Sequence, residues 1–204
     1  EGGAVATNKD AWAARIRCAT DCCSFYWVPG AKTQTMFSMS GSRASELEGA
    51  ILSAQLGRIG GMVRTMRAQK KRILQATRAT GLTPIRANSL DHECGTHVMY
   101  TLPTAKQAAV FAEATGGVVT LNTGRHVYTA WDPVLRHEGA HHPALNPYQL
   151  RENRGCRMKY TPDMCARSLD VLGRTVYLTT HPDHTAKDVR ERIRLIRQTA
   201  KQVL

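Results

Sequence analysis

No apolar run in the sequence approaches the ~20 residues that cross a bilayer as a helix, which argues against a membrane span. There is no C-x-x-C pair either. The six cysteines, Cys18, Cys22, Cys23, Cys94, Cys156 and Cys165, are scattered, and the adjacent pair suits neither a zinc knuckle nor a disulfide scaffold. Glu1-Gly2-Gly3 has neither the basic region nor the apolar segment of a secretory signal. Scattered thiols without such a signal fit a reducing compartment, so a cytoplasmic location is expected. Internal repeats and low-complexity linkers are also missing, and between Glu48 and Asp91 there is no acidic residue at all.

What is present is an ordinary globular composition, 42% hydrophobic and 22% charged, over 204 residues. That length supports one large domain or two small ones. The net charge is +12, and the acid-free stretch holds Arg58, Arg64, Arg67, Lys70, Lys71, Arg72, Arg78 and Arg86. Such a stretch is either a solvated helix face or a surface for phosphate, in a nucleic acid, a nucleotide-linked substrate or a cofactor. With no zinc finger, basic zipper or RNP-like aromatic pattern beside it, a nucleic-acid partner rests on charge alone and is disfavoured.

Along the chain, Gly3 to Thr7 reads as a short strand, with Asn8 capping a helix over 9–19. Cys22 to Val28 suggests a second strand, turned at Pro29-Gly30, with a loop over 36–42. Ser45-x-x-Glu48 is a capping-box pattern opening a long helix, which Gly60-Gly61 is expected to weaken or kink and Thr80-Gly81 to end. Past Pro84 the pattern becomes that of a small α/β unit. Strands are expected over 85–88, 96–102, 118–121 and 174–179, with a helix opened by Thr104-x-x-Gln107. Residues 122–160 should be loop with short helical turns. Thr185-x-x-Asp188 caps a last helix whose Val189, Ile193, Ile196, Ala200 and Val203 form an amphipathic stripe. The best domain boundary is near Gly81.

Three segments, in one order, resemble the DegT/DnrJ/EryC1/StrS family of sugar aminotransferases. They are Glu1-Gly2-Gly3-Ala4-Val5-Ala6-Thr7-Asn8, then Arg43-Ala44-Ser45-Glu46-Leu47-Glu48-Gly49-Ala50-Ile51 with Ala54-Gln55-Leu56, and then Leu172 to Asp183 before the basic final helix. The second is the most specific. The resemblance implies an α/β fold, the C-terminal part of a fold type I aminotransferase dependent on pyridoxal 5'-phosphate. Residues 1–81 would end the large cofactor domain with its long interdomain helix, and 82–204 would form the small C-terminal domain. It implies a cytoplasmic homodimer that moves an amino group from an amino-acid donor to a keto-sugar or nucleotide-linked keto-sugar.

In that family the Schiff-base lysine lies about half a dozen residues before the Glu-Gly-Gly, here upstream of Glu1. The chain is therefore expected to be a portion of a longer one and inactive alone; Lys9 and Lys32 lie downstream of the family's position. The loop before the second segment contacts cofactor phosphate in the family. Here it reads Ser40-Gly41-Ser42-Arg43, so Ser42 and Arg43 are the cofactor-binding candidates, one a neutral donor and one a bidentate cation.

The loop rich in histidine corresponds to the family's substrate mouth. Imidazoles, an indole and amides suit a polyhydroxylated keto-sugar, which nominates His126, Tyr128, Trp131, His141, His142 and Asn146. His137-Glu138-Gly139-Ala140-His141 also has the letters of a zinc hydrolase motif. Gly139 and Pro143 disfavour the helix that motif needs, and no third ligand is obvious. A reading from another class is a non-enzymatic basic module using residues 58–86 on a nucleic acid or an acidic partner.

Overall fold

The structure, a computed structural model, describes residues 3–21, 41–139, 141–156 and 159–204. The strand expected over Cys22–Val28, the Pro29-Gly30 turn, most of the following loop and Lys32 lie outside these. The chain divides into two compact units, Glu1–Ile59 and Gly60–Leu204. The division falls at the glycine pair, ahead of the boundary expected near Gly81.

In the first unit, α1 spans Asp10–Thr20 and buries Cys18. Residues 3–7 are not a strand, and the N-cap is Lys9 rather than Asn8. Thr7 takes up the cap region by accepting the Lys9 N–H at 3.2 Å. Helix α2 spans Glu46–Thr77. Its start is the box expected from sequence: Ser45 Oγ accepts the Glu48 N–H at 3.1 Å, and Glu48 Oε2 accepts the Ser45 N–H at 2.8 Å. The helix runs unbroken through Gly60-Gly61. Glycine costs roughly 1 kcal/mol per site in a helix, too little to stop one propagating from so many residues on either side.

The second unit is a mixed helix and sheet fold. Strands β1 (Thr83–Pro84), β2 (His97–Thr101), β3 (Val118–Val119) and β4 (Thr175–Thr179) form one antiparallel sheet in the order β1-β2-β4-β3. Helices α3 (Ala105–Thr115), α4 (Asp132–Leu135), α5 (Ala166–Arg174) and α6 (Ala186–Val203) complete it, with 3-10 turns over 120–130, 143–145 and 151–153. Helix α5 was not expected from sequence, residues 85–88 form no strand, and Leu121, expected in the third strand, lies in a 3-10 turn. Thr120 Oγ1 there donates to the Leu172 carbonyl at 2.7 Å, drawing the chain out of the sheet plane.

Because side chains alternate across a strand, the sheet has two unlike faces. Val98, Tyr100, Val176 and Leu178 join the core with Ile73, Leu82, Leu102, Ala108, Phe111, Val189, Ile196, Ala200 and Val203. Tyr100 stands edge-on to Phe111, with ring centroids 6.1 Å apart. Its hydroxyl lies 2.6 Å from that of Thr77, which donates to the Ile73 carbonyl at 2.8 Å, so both buried hydroxyls are satisfied. Helix α6 opens with a full capping box between Thr185 and Asp188. His97, Met99 and Tyr177 are left on the opposite face, only half-buried.

Candidate functional site

That opposite face carries a cleft of about 370 Å³ lined by His97, Met99, Thr120, Thr123, His126, Val127, Leu172 and Tyr177. Its floor comes from the strands. Met99 and Tyr177 are direct register partners across β2 and β4, and His97 meets the Tyr177 ring edge-on at 5.0 Å. The wall is the segment after β3. Just before β3, Gly117 lets the chain approach β4, since a Cβ would come within 2.8 Å of Val176 Cγ1 and 3.0 Å of the Tyr177 carbonyl. Thr123 Oγ1 then donates to the Thr120 carbonyl at 2.8 Å, and Val127 is buried, fixing the turns that present His126.

His97 Nδ1 is 2.9 Å from Thr96 Oγ1, which leaves Nε2 for a ligand. Burial, and then the charge of Lys70, push the pKa of His97 below its usual 6.5, so the ring is neutral at pH 7. A neutral imidazole offers one donor and one acceptor. With threonine oxygens, a phenol and apolar side chains around it, the cleft can bind and orient a small polar ligand.

Of the residues nominated from sequence, the cleft gathers His126 alone. The Tyr128 hydroxyl donates to the Pro162 carbonyl at 2.7 Å and accepts the Cys165 N–H at 3.2 Å, clasping the loop to the start of α5. Trp131 is the N-cap of α4 and 45% exposed. His141 and His142 are exposed, and His142 Nδ1 accepts the Ala144 N–H at 3.2 Å. Asn146 is buried; its Oδ1 accepts the Tyr148 N–H at 3.0 Å, and the side chain packs so close to Gly139 that no Cβ fits there. Sequence reasoning missed His97, Met99 and Tyr177. Their one signal was strand alternation, which sets them opposite the core positions Val98, Tyr100, Val176 and Leu178.

Ser42 and Arg43 belong to the first unit. The Ser42 N–H donates to the Thr20 carbonyl at 2.9 Å, while the Arg43 guanidinium lies 3.4 Å from Asp21 and 3.6 Å from Glu46. The Lys9 ammonium sits over the Trp12 ring, 5.3 Å from its centroid. Pyridoxal phosphate needs an amine for its aldehyde and cationic or N–H donors for its phosphate. An arginine already shared by two carboxylates and a lysine held on an indole do not fit that cofactor by themselves.

Of the zinc-motif letters, the described residues 137–139 and 141 fall outside any helix. His137 has φ 58° and stacks on Tyr148 at 5.1 Å, with Tyr160 edge-on at 5.5 Å, while Glu138 pairs with Arg136 at 3.3 Å. Among the described residues, no three His, Cys, Asp or Glu side chains gather as a metal site would require. The basic stretch is partly closed by the acids that follow it in sequence. Lys70 pairs with Glu93 at 2.7 Å, Lys71 with Asp91, and Arg67 Nε donates to the Glu93 carbonyl.

Among the described residues no helix is long and apolar enough to cross a membrane. Compared with known proteins, the chain matches no family model, and no curated protein matches it significantly.

Proposed function

We propose that this chain is the C-terminal part of a pyridoxal-phosphate-dependent aminotransferase of the DegT/DnrJ/EryC1/StrS kind, a cytoplasmic homodimer acting on a keto-sugar or nucleotide-linked keto-sugar. The observation that carries the reading is the cleft on the sheet face opposite the core. A long helix leads into an antiparallel sheet with the core on one face, and the opposite face holds a cleft of imidazoles, hydroxyls and an aromatic ring. That is the arrangement expected of a small domain closing over a polyhydroxylated substrate. The cofactor, when bound, supplies the electron sink that transamination requires. The part taken by this chain is to hold the sugar: His97 and His126 bond its hydroxyls, Tyr177 and Met99 carry its apolar face, and the threonine oxygens orient it.

The basic-module alternative loses three of its cations, Arg67, Lys70 and Lys71, to the 91–93 segment, and nothing in their arrangement favours it. Salt-sensitive binding to random RNA, abolished by replacing Lys70, Lys71 and Arg72, would bring it forward.

The deciding experiment extends the gene upstream of the codon for Glu1 and assays the product made from its own start. The expected result is a lysine about half a dozen residues before Glu1, a cofactor chromophore fixed by borohydride reduction, and amino transfer to a keto-sugar. An unrelated upstream sequence, or turnover by the 204-residue chain alone, would overturn the proposal.

A further inference from the structure

We infer that the outer face of α6 is a docking surface for the phosphate backbone of a nucleic-acid duplex, engaged without reading its bases. This binding is independent of the aminotransferase reading, because it uses neither the cleft nor a cofactor.

Helix α6 has two unlike sides. Val189, Ile196, Ala200 and Val203 are buried in the core. Lys187, Arg190, Arg194, Arg197 and Lys201 recur at steps of three and four residues, so they share the side turned away from it, and all five are exposed. At about 1.5 Å per residue the row is roughly 21 Å long. Part of it borders a groove of about 410 Å³, lined by Arg190, Arg194, Arg197 and Lys201 with Ile193 and Gln198.

The row is short of counter-charge. Of the two acids on α6, Asp188 closes the capping box with Thr185, and Glu191 pairs with Arg194 at 2.6 Å. Among the described residues, Arg190, Arg197 and Lys201 have no carboxylate within 4.0 Å, and the residues outside these hold only one acidic side chain, Glu1. Helix α2 differs, since Glu93 and Asp91 meet its Lys70 and Lys71. Like charges one turn apart disfavour a helix, so the α6 row works against the fold until an anion meets it.

The makeup of the row selects the anion. Three of the four cations at the groove are arginines, whose planar fork meets phosphate oxygens in pairs. A duplex carries one phosphate charge per ~1.7 Å of its axis, so it meets the whole row at once. A single strand is held by stacking its bases on aromatic rings, and α6 has none. A membrane surface is held by apolar side chains that enter it, and α6 exposes no large apolar side chain.

The test is fluorescence anisotropy of the 204-residue chain with a labelled, mixed-sequence DNA duplex of about 20 base pairs. The expected result is saturable binding that weakens about a hundredfold between about 50 and 200 mM salt, the dependence of about four neutralised phosphates. Arg190→Gln/Arg197→Gln/Lys201→Gln should weaken it at least about tenfold at the lower salt and flatten the salt dependence by about three phosphates. Far-ultraviolet circular dichroism should stay unchanged, because these side chains are exposed. Arg58→Gln/Arg64→Gln/Arg72→Gln removes the same charge from exposed positions of α2 and should weaken binding less than about threefold. Equal losses in the two variants would assign the binding to net charge rather than to α6 and overturn the inference, as would no binding at the lower salt. Tighter binding to phosphatidylserine vesicles or to poly-glutamate than to the duplex would overturn it too, giving the face to a lipid surface or an acidic protein.

Discussion

Replacing Gly95 by alanine tests how the 89–95 segment is seated on α2. Gly95 has φ +73°, and a Cβ there would lie 2.7 Å from Arg67 N, 2.8 Å from Arg67 Cα and 3.0 Å from the Met66 carbonyl carbon. Those are backbone atoms of a helix, so no rotamer change relieves the contact. The segment must lift instead, and with it go the Glu93 contacts to Lys70 and Arg67 and the 2.6 Å bond from Thr180 Oγ1 to the Gly95 carbonyl. A left-handed alanine costs about 1–2 kcal/mol, and overpacking against rigid neighbours about 1–3 kcal/mol more. The expected loss is therefore about 2–5 kcal/mol. Gly116 supplies the control: its φ is +65°, but a Cβ there meets nothing within 4 Å, so Gly116→Ala should cost only the conformational 1–2 kcal/mol, roughly. Urea unfolding followed by far-ultraviolet circular dichroism, at low protein concentration, measures both. Equal losses, or a Gly95→Ala loss under about 1 kcal/mol, would refute the close seating.

Tyr100→Phe should cost about 1 kcal/mol, the worth of its bond to Thr77, which keeps its own bond to Ile73. It should also change the alkaline limb of the stability profile. Burial raises the Tyr100 pKa above the ordinary 10.0, against a smaller lowering by Thr77. The unfolded chain therefore releases that proton first, and the stabilisation is whole below about pH 10 and declines as pH rises beyond it. Wild type should lose stability more steeply there than Tyr100→Phe; parallel profiles in urea titrations would contradict this. Along the first part of α2, Leu47, Ile51, Leu52, Leu56 and Ile59 are all more than half exposed. An apolar row of that extent predicts self-association, reduced in Leu52→Gln/Leu56→Gln; light scattering showing a wild-type monomer at high concentration would count against it.

The helices were legible where a local signal stood at their ends. Thr104, Ser45 with Glu48, and Thr185 with Asp188 all cap as their spacing indicates, because the bonds involved join residues three apart and need no tertiary context. Gly60-Gly61 misled because propensity penalises single residues, while a helix is held by the hydrogen-bond ladder around them. Helix α5 gave less to read. It is short, its N-cap Cys165 makes no side-chain cap bond, and it passes at Arg174 straight into β4, with Gly173 inside the helix rather than beyond its end. Its Arg174 reaches back to Asp170 at 2.7 Å, a one-turn pair visible in the sequence only once a helix is suspected.

The site was harder than the fold for a reason that bears on reading histidine-rich loops generally. A segment without regular structure must satisfy its backbone with whatever polar side chains it carries. Here His142 holds the Ala144 N–H, Asn146 the Tyr148 N–H, and Tyr128 both Pro162 and Cys165. The polar residues that drew attention in sequence are thus largely the loop's own scaffolding. His97, Met99 and Tyr177 differ, because a strand's backbone is already bonded in the ladder and a side chain on its outward face owes nothing to the fold. That distinction requires knowing that β2 and β4 are neighbours, which strand alternation alone does not tell. Once the pairing is known, a polar residue on the uncovered face of a sheet is the better candidate for ligand contact, and a polar residue in an irregular loop becomes one only after its backbone duties are accounted for.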